Sequence, residues 1–501
     1  MVLEKVSFVD KLPKKGSVIV GIHSDGSLSP NAKKIDEDLN GIIAKNLNKL
    51  KFTGKTLFKT CSFPLCNEYY NHLIIVGLGD PNREFSRVDF KKLGAAIYAG
   101  ASKLDEDATV AIEASDLHIP CNCISSYVGF GALLKSWSFD KYKSQKDEKI
   151  RLQNLAVLTS DVKVSQECFD ELQNLAAGIF LTRLLVSEPA NVIYPESLAK
   201  IATEELSHLG VDVEILEQPA MEKLCMNALL AVAQGSANRP RLVVLHWNGG
   251  KESELPVAFV GKGVTFDSGG ISIKPDEGMH EMIHDMAGAG TVLGLFKAVA
   301  LNKLPINVVG LMALVENMPS GTAQRPGDIV RSMSGQTIEV LSTDAEGRMI
   351  LADALWYAQD RFNPSVIVDL ATLTGAIVVA LGHEFAGLFS NCDNLAEQLS
   401  KSSCQTGENV WRMPMSEHFD EGINSDVADM RNIGKPNIRG GSITAAQFLK
   451  RFVNDKRWAH IDIAGVEHVS DGDLFVCSKG STGFGVHLLY DFLKENYVGH
   501  K

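Results

Sequence analysis

Short apolar runs alternate with helix-patterned stretches along the whole chain, and this alternation limits the available folds more than any other feature. HLIIVGLG (72–79), ATVAIEA (108–114) and NLAVLTS (154–160) read as buried strands, and DFKKLGAAIYAGASKL (89–104) has helical spacing. A long helical pattern from Val164 to Val186 runs into SEPANVIYP (187–195), a bridge into a second domain. From Pro195 the alternation resumes, with VDVEIL, RLVVLHW, PVAFVG, INVVGLMALV, SVIVDL, AIVVALG and HIDIAG read as strands. Continuous apolar strands separated by helices suit a parallel sheet covered on both faces. The expected fold is therefore α/β, with a smaller N-terminal α/β domain at 1–165 and a larger C-terminal one at 166–501. The larger domain should hold a mixed, mostly parallel central sheet flanked by helices. The charged stretch DKYKSQKDEK (140–149) reads as a surface excursion.

Composition excludes several classes. A chain of 501 residues, 45% hydrophobic and 22% charged, is neither disordered nor collagen-like and needs no disulfides to hold a core. Lys+Arg 49 against Asp+Glu 61 gives a formal charge of −12, with no dense basic run. Nucleic acid and anionic membranes are thus disfavoured as partners. The nine cysteines are odd in number, mostly far apart and without a paired C-x-x-C element. Cys121 and Cys123 lack a second pair for a zinc knuckle, so scattered free thiols in a reducing cytoplasm are expected. The opening MVLEKVSFVDKLPKKG lacks the apolar core of a signal peptide, and no apolar run approaches the roughly 18 residues of a membrane helix. A soluble cytoplasmic protein is expected.

Ligand-binding residues in open α/β sheets tend to follow the carboxyl ends of strands. After PVAFVG, the segment GKGVTFDSGGISIKP (261–275) packs Lys262, Asp267 and Lys274 into a glycine-rich region. Alone, it could be a turn with solvated charges. Asp285 stands just before the helix-like AGAGTVLGLFKAVAL, where an acid capping the helix is the plainer role. TIEVLS runs into TDAEGR (343–348) and then the helical MILADALWYAQDRF, placing Asp344, Glu346 and Arg348 at a strand-to-helix junction. Thr343-x-x-Glu346 also fits a capping box.

Together the clusters mean more. Asp267, Asp285, Asp344 and Glu346 supply four carboxylates, a charge that two divalent cations would neutralise. Without metal, such carboxylates would repel one another and their pKa values would rise. Lys262 could donate a neutral amine if burial and the cations depress its pKa, leaving Lys274 and Arg348 as cations near a reacting centre. A two-metal hydrolase needs such a set.

GKGVTFDSGGISIKP, the HDM containing Asp285, NMPSGTAQRPGD (317–328) and MSGQTIEVLSTDAEGRMILADAL resemble the signatures of the leucyl (cytosol) aminopeptidase family, bacterial type. DLATLTGA, GGSITAAQFL and HIDIAG extend the resemblance in the family's order from Ser187 to Tyr490; the N-terminal 160 residues resemble its smaller domain loosely. The resemblance implies that 166–501 is a metallopeptidase domain removing N-terminal residues, preferably Leu-like, from peptides with a free N-terminus. It implies two divalent ions per subunit, Mn²⁺ or Zn²⁺, held by Lys262, Asp267, Asp285, Asp344 and Glu346, with Asp267 and Glu346 bridging. Lys274 would polarise the scissile carbonyl, and Arg348 would hold a bicarbonate acting as general base toward a bridging water. Met282, Thr372, Gly375 and Ala464 would shape an apolar substrate pocket, ordinary core packing being their alternative role. A homohexamer is implied as well. Ser342 and Ser187 replace asparagines usual in the family, but no ligand or cationic group is lost. A non-enzymatic scaffold relative, the rival class, should have lost one.

His280-Glu281-Met282-Ile283-His284 is a literal H-E-x-x-H, the pattern of a zinc endopeptidase. Pro275, Gly278, Gly288 and Gly290 flank it, no third histidine follows, and Ala298 to Pro305 contains no acid. The histidines are expected at a pocket rim or on the surface. GAGTVLG (288–294) has the wrong spacing for a dinucleotide loop and reads as helix-packing glycines. No phosphate loop or serine-nucleophile motif has a supporting context.

Overall fold

The computed structural model describes residues 3–12, 15–65, 70–102, 104, 106–112, 123–144, 152–469, 476–477 and 479–498. Cys66, Cys121 and residues 145–149 of the charged stretch lie outside them. The described residues fall into two compact units, one reaching Ala176 and including the described part of 470–480, the other holding the rest. The division falls inside the helix Val162–Ser187.

The first unit is built on β1 (Lys5–Val9), β2 (Ser17–His23), β3 (Thr60–Pro64), β4 (His72–Gly79), β5 (Ala108–Val110) and β6 (Asn154–Leu158). Their order is β1-β6-β5-β2-β4-β3, parallel except for β3 on β4. β2 is buried along its whole length and β4 nearly so, as continuous apolar strands covered on both faces must be. The helix Arg87–Ala101 begins in a capping box between Ser86 and Asp89. Cys123 and Cys168 are joined as a disulfide, their Cα atoms 6.3 Å apart. This corrects the expectation of free thiols throughout. The pair is 45 residues apart, and only the fold brings it within bridging distance.

The second unit carries β7 (Asp212–Glu217), β8 (Arg241–Asn248), β9 (Val257–Asp267), β10 (Asn307–Asn317), β11 (Ile329–Arg331), β12 (Thr337–Glu339), β13 (Val366–Ala371), β14 (Ala386–Ser390), β15 (Val410–Arg412), β16 (Met430–Arg431) and β17 (Arg457–Asp462). Eight of them form a sheet in the order β15-β14-β17-β13-β9-β10-β8-β7. Its centre, β17-β13-β9-β10, is parallel, and antiparallel pairings to β14 and β8 flank it. On one face Val260, Val264, Val309 and Leu311 share a core with Met349, Ile350 and Leu355 of the helix Gly347–Phe362. On the other, Gly261 and Gly310 lie against Ala289 and Phe296 of the helix Ala287–Leu301. The period of two along each strand makes this division. Truncating Leu351 to alanine in this core should cost about 2–5 kcal/mol.

Two local expectations change. AIVVALG is not a strand but most of the helix Gly375–Leu381, started by Thr374, whose hydroxyl accepts from Ile377 N. A seven-residue apolar run cannot distinguish the two states by periodicity, and Val379 is 90% exposed where a central strand would be covered. The TIE of TIEVLS joins a separate small sheet, β11-β12-β16. Gly294 does pack a helix: a Cβ there would lie 2.5 Å from Gly178 O.

Candidate metal centre

The parallel strands β9, β10, β13 and β17 end on one edge of the sheet, and the side chains at those ends converge. β9 supplies Lys262 and Asp267, β10 ends at Asn317, β13 runs into Thr372 and β17 ends at Asp462. A register shift between Val315 and Asn317 sets Asn317 beside Asp267, whose Oδ1 accepts from Asn317 Nδ2 at 2.8 Å. Asp344 and Glu346 come from the turn before the helix Gly347–Phe362, and Asp285 ends the 3₁₀ helix Met279–His284.

Two lysines knit these groups together. Buried Lys262 Nζ lies 2.8 Å from Asp285 Oδ1 and 2.8 Å from Glu346 Oε1, and donates to Thr372 O at 2.8 Å. Lys274 Nζ lies 2.8 Å from Asp267 Oδ2 and 2.5 Å from Asp344 Oδ1. Thr372 Oγ1 donates to Asp285 Oδ1 at 2.7 Å. Glycine is required at Gly269 in this arrangement. Gly269 has φ +86°, and a Cβ there would meet Ser272 O at 2.4 Å. A Cβ on Gly347 would lie 2.8 Å from Lys262 Nζ.

Neither competing role of the acids is formed. The helix Gly347–Phe362 has no side-chain cap bond, and Thr343 Oγ1 instead donates to Gly269 O and accepts from Ser272 N. Asp285 precedes Met286, which holds the N-cap position of the next helix, and its carboxylate turns to Lys262. The H-E-x-x-H segment lies within the six-residue 3₁₀ helix Met279–His284, in which residues i and i+4 do not share a face, and His284 stacks on His468 with centroids 4.2 Å apart.

Burial works against an ammonium at Lys262, but Asp285, Glu346 and Asp267 outweigh it and hold its pKa above the ordinary lysine range. Lys274 is held high in the same way by Asp267 and Glu346. Burial raises Asp285 well above the usual carboxylate range, against the pull of Lys262. Burial and then the Asp267 charge raise Glu346; burial raises Asp344. Lys262 is therefore an ammonium in this arrangement. Acting as an amine ligand requires cations close enough to reverse the balance.

The donor set fits divalent cations. Ligand atoms of Asp267, Asp344 and Glu346 all lie within 4.8 Å of one another, and buried Asp285 Oδ2 has no hydrogen-bond partner. Carboxylate oxygens with one amine match hard or borderline divalent ions. Arg348 is buried nearby, with one guanidinium NH₂ donating to Asn432 O at 2.8 Å and its Nε unpartnered. Burial lowers its pKa to about 10, which leaves it cationic at neutral pH.

Asn317, Asn432 and Asp462 are parts of the site to which the sequence reading gave no role. Asn432 accepts from Leu341 N and Ser342 N and donates to Ser342 O, holding the turn at the replaced asparagine position. Of the expected pocket residues, Thr372 touches Lys262 and Asp285, Met282 and Ala464 are half-buried, and Gly375 is exposed. A separate cavity of about 650 Å³, lined by Glu222, Asn227, Arg239 and Arg331 among others, includes none of these residues.

Residues 180–490 match the family model described as cytosol aminopeptidase family, catalytic domain, and 19–146 match that family's N-terminal domain. A probable cytosol aminopeptidase of Ehrlichia ruminantium (strain Gardel) is 48% identical over 507 residues, covering 99% of this chain and 98% of its own. One from Chelativorans sp. (strain BNC1) is 46% identical over 490 residues, 97% of each. A solved lysine-to-glutamate mutant of tomato leucine aminopeptidase gives a TM-score of 0.87 at 33% identity, covering 98% of this chain and 96% of that one. The bottromycin maturation enzyme BotP, in complex with Mn, gives 0.83 at 31% identity, covering 97% and 99%. With both family domains matched in order and a carboxylate cluster suited to divalent ions at the strand ends, the chain belongs to the cytosol aminopeptidase family and is a metal-dependent aminopeptidase.

Proposed function

We propose that the chain removes N-terminal residues, Leu-like ones preferred, from peptides with a free α-amino group. In this reading Lys262, Asp267, Asp285, Asp344 and Glu346 would hold two divalent ions, Mn²⁺ or Zn²⁺, per subunit. The observation that carries it is the convergence of four carboxylates, Asp267, Asp285, Asp344 and Glu346, from three separated segments on Lys262 and Lys274. When bound, the ions would supply Lewis-acid polarisation and a water nucleophile at neutral pH.

Lys274 is one-fifth exposed, so its ammonium can face a substrate carbonyl and stabilise the charge that develops on its oxygen. Arg348 has an unpartnered Nε, which suits it to hold a bicarbonate, and a bicarbonate there would supply a general base. Thr372, Gly375, Ala464 and Met282 form the walls for the first side chain. Residues 166–501 carry the reaction, with the N-terminal domain at 1–165.

The resemblance to the family supports a homohexamer, and the name shared by the relatives supports a cytoplasmic setting. No described helix is long and apolar enough to cross a membrane. The test is metal analysis after chelation, reloading with Mn²⁺ or Zn²⁺ and removal of excess. Two ions per chain are expected, and one or none overturns the two-ion reading. Sedimentation should give the mass of six chains; a monomer overturns the assembly.

A further inference from the structure

We propose that Asp462 is a positioning residue that ties the Thr372–Gly375 loop to the turn at Ala464, and so fixes the walls of the pocket for the substrate's first side chain. The inference rests on the pocket assignment made above.

Asp462 is the last residue of β17, wholly buried and paired in register with Ala371 at the end of β13. Its Oδ1 accepts from Leu373 N at 3.0 Å and from Ala464 N at 3.3 Å, and its Oδ2 accepts from Thr374 Oγ1 at 2.7 Å. One carboxylate thus gathers donors from both walls. Thr374 Oγ1 in turn accepts from Ile377 N at 3.2 Å, fixing the start of the helix Gly375–Leu381. At the other end of the same loop, Thr372 accepts from Lys262 and donates to Asp285. The loop is therefore anchored twice, to the lysine–carboxylate cluster at Thr372 and to Asp462 one and two residues later. Apolar walls alone would leave Leu373 N and Ala464 N without these bonds. None of these hydrogen bonds runs from Asp462 to Lys262 or to the acids around it, while its charge favours the guanidinium of buried Arg348.

Asp462→Ala would strand three donors in a buried site, so the primary variant is Thr374→Val, with Thr374→Ser as the conservative control. Each protein is compared for bound Mn²⁺ per chain, for kcat and KM on leucyl and alanyl p-nitroanilides, and for calorimetric affinity toward L-leucine and L-alanine. Thr374→Val should keep the metal content of the unaltered chain. Its leucyl-over-alanyl preference should fall by about tenfold, mainly through KM, with the same loss in relative amino-acid affinity. Thr374→Ser should restore both. If the unaltered chain prefers leucyl substrates and Thr374→Val keeps that preference, or loses its metal instead, the role of Asp462 is overturned. If the unaltered chain shows no leucyl preference, the pocket assignment falls and this inference with it.

Discussion

Lys274 Nζ lies 2.8 Å from Asp267 Oδ2, so the cation meant for the substrate is held against an acid expected to bind metal. Its second partner, Asp344 Oδ1, stands 2.5 Å away on a different segment. A positive group poised where carbonyl charge develops is worth two to three decades in rate. Lys274→Ala should lower kcat by about 100-fold or more with bound metal retained. Lys274→Arg should not restore it, because a planar guanidinium cannot replace a compact ammonium between two carboxylates. Steady-state kinetics decide, and near-normal turnover in either variant contradicts the assigned role.

Glu346 is buried and shares Lys262 with Asp285. Removing it deletes a carboxylate proposed to hold metal and leaves Lys262 with one fewer partner. Glu346→Ala should lose bound metal and nearly all activity while remaining folded, as judged by circular dichroism and metal analysis together. Full metal occupancy with near-normal turnover would contradict the ligand assignment.

The histidines of the H-E-x-x-H segment offer an independent check. His284 is packed on His468, and the segment lies within a 3₁₀ helix. His280→Ala combined with His284→Ala should keep bound metal and turnover within a few-fold of the parent. Loss of metal from this double variant would favour zinc endopeptidase chemistry instead.

Asp353 predicts a pH dependence of stability. It lies buried in the helix Gly347–Phe362 and accepts from Met333 N at 2.8 Å and Leu229 N at 3.0 Å. Burial outweighs these bonds and raises its pKa from 3.8 to about 7. The folded chain therefore keeps a proton that the unfolded chain releases, and stability from this group is full below about pH 4 and lost as pH rises through about 7. Denaturant midpoints measured from pH 4 to pH 8 should fall more steeply in the parent than in Asp353→Asn. Equal slopes would contradict the assignment.

Much of this was legible in the chain because the chemistry sits where strand and helix patterns meet. β9 was legible as PVAFVG, although the strand itself runs on through Lys262 to Asp267, and TDAEGR opens a strongly periodic helix. What was not legible depends on distant partners. Asn432 reaches Leu341 N across 91 positions, Asp462 reaches Leu373 N across 89, and Cys168 meets Cys123 across 45. No local spacing encodes such pairings. AIVVALG fails for a different reason: a short apolar run suits strand and helix alike, and only Thr374 ahead of it marks a helix start.

The most direct test is exopeptidase action itself. Purified protein loaded with Mn²⁺ is given leucine p-nitroanilide and its N-acetylated counterpart, each with and without a chelator. Cleavage of the free-amine substrate alone, abolished by the chelator, is the expected result. Comparable cleavage of the N-acetylated substrate, or activity that survives the chelator, would contradict a metal-dependent enzyme that requires the free amino terminus.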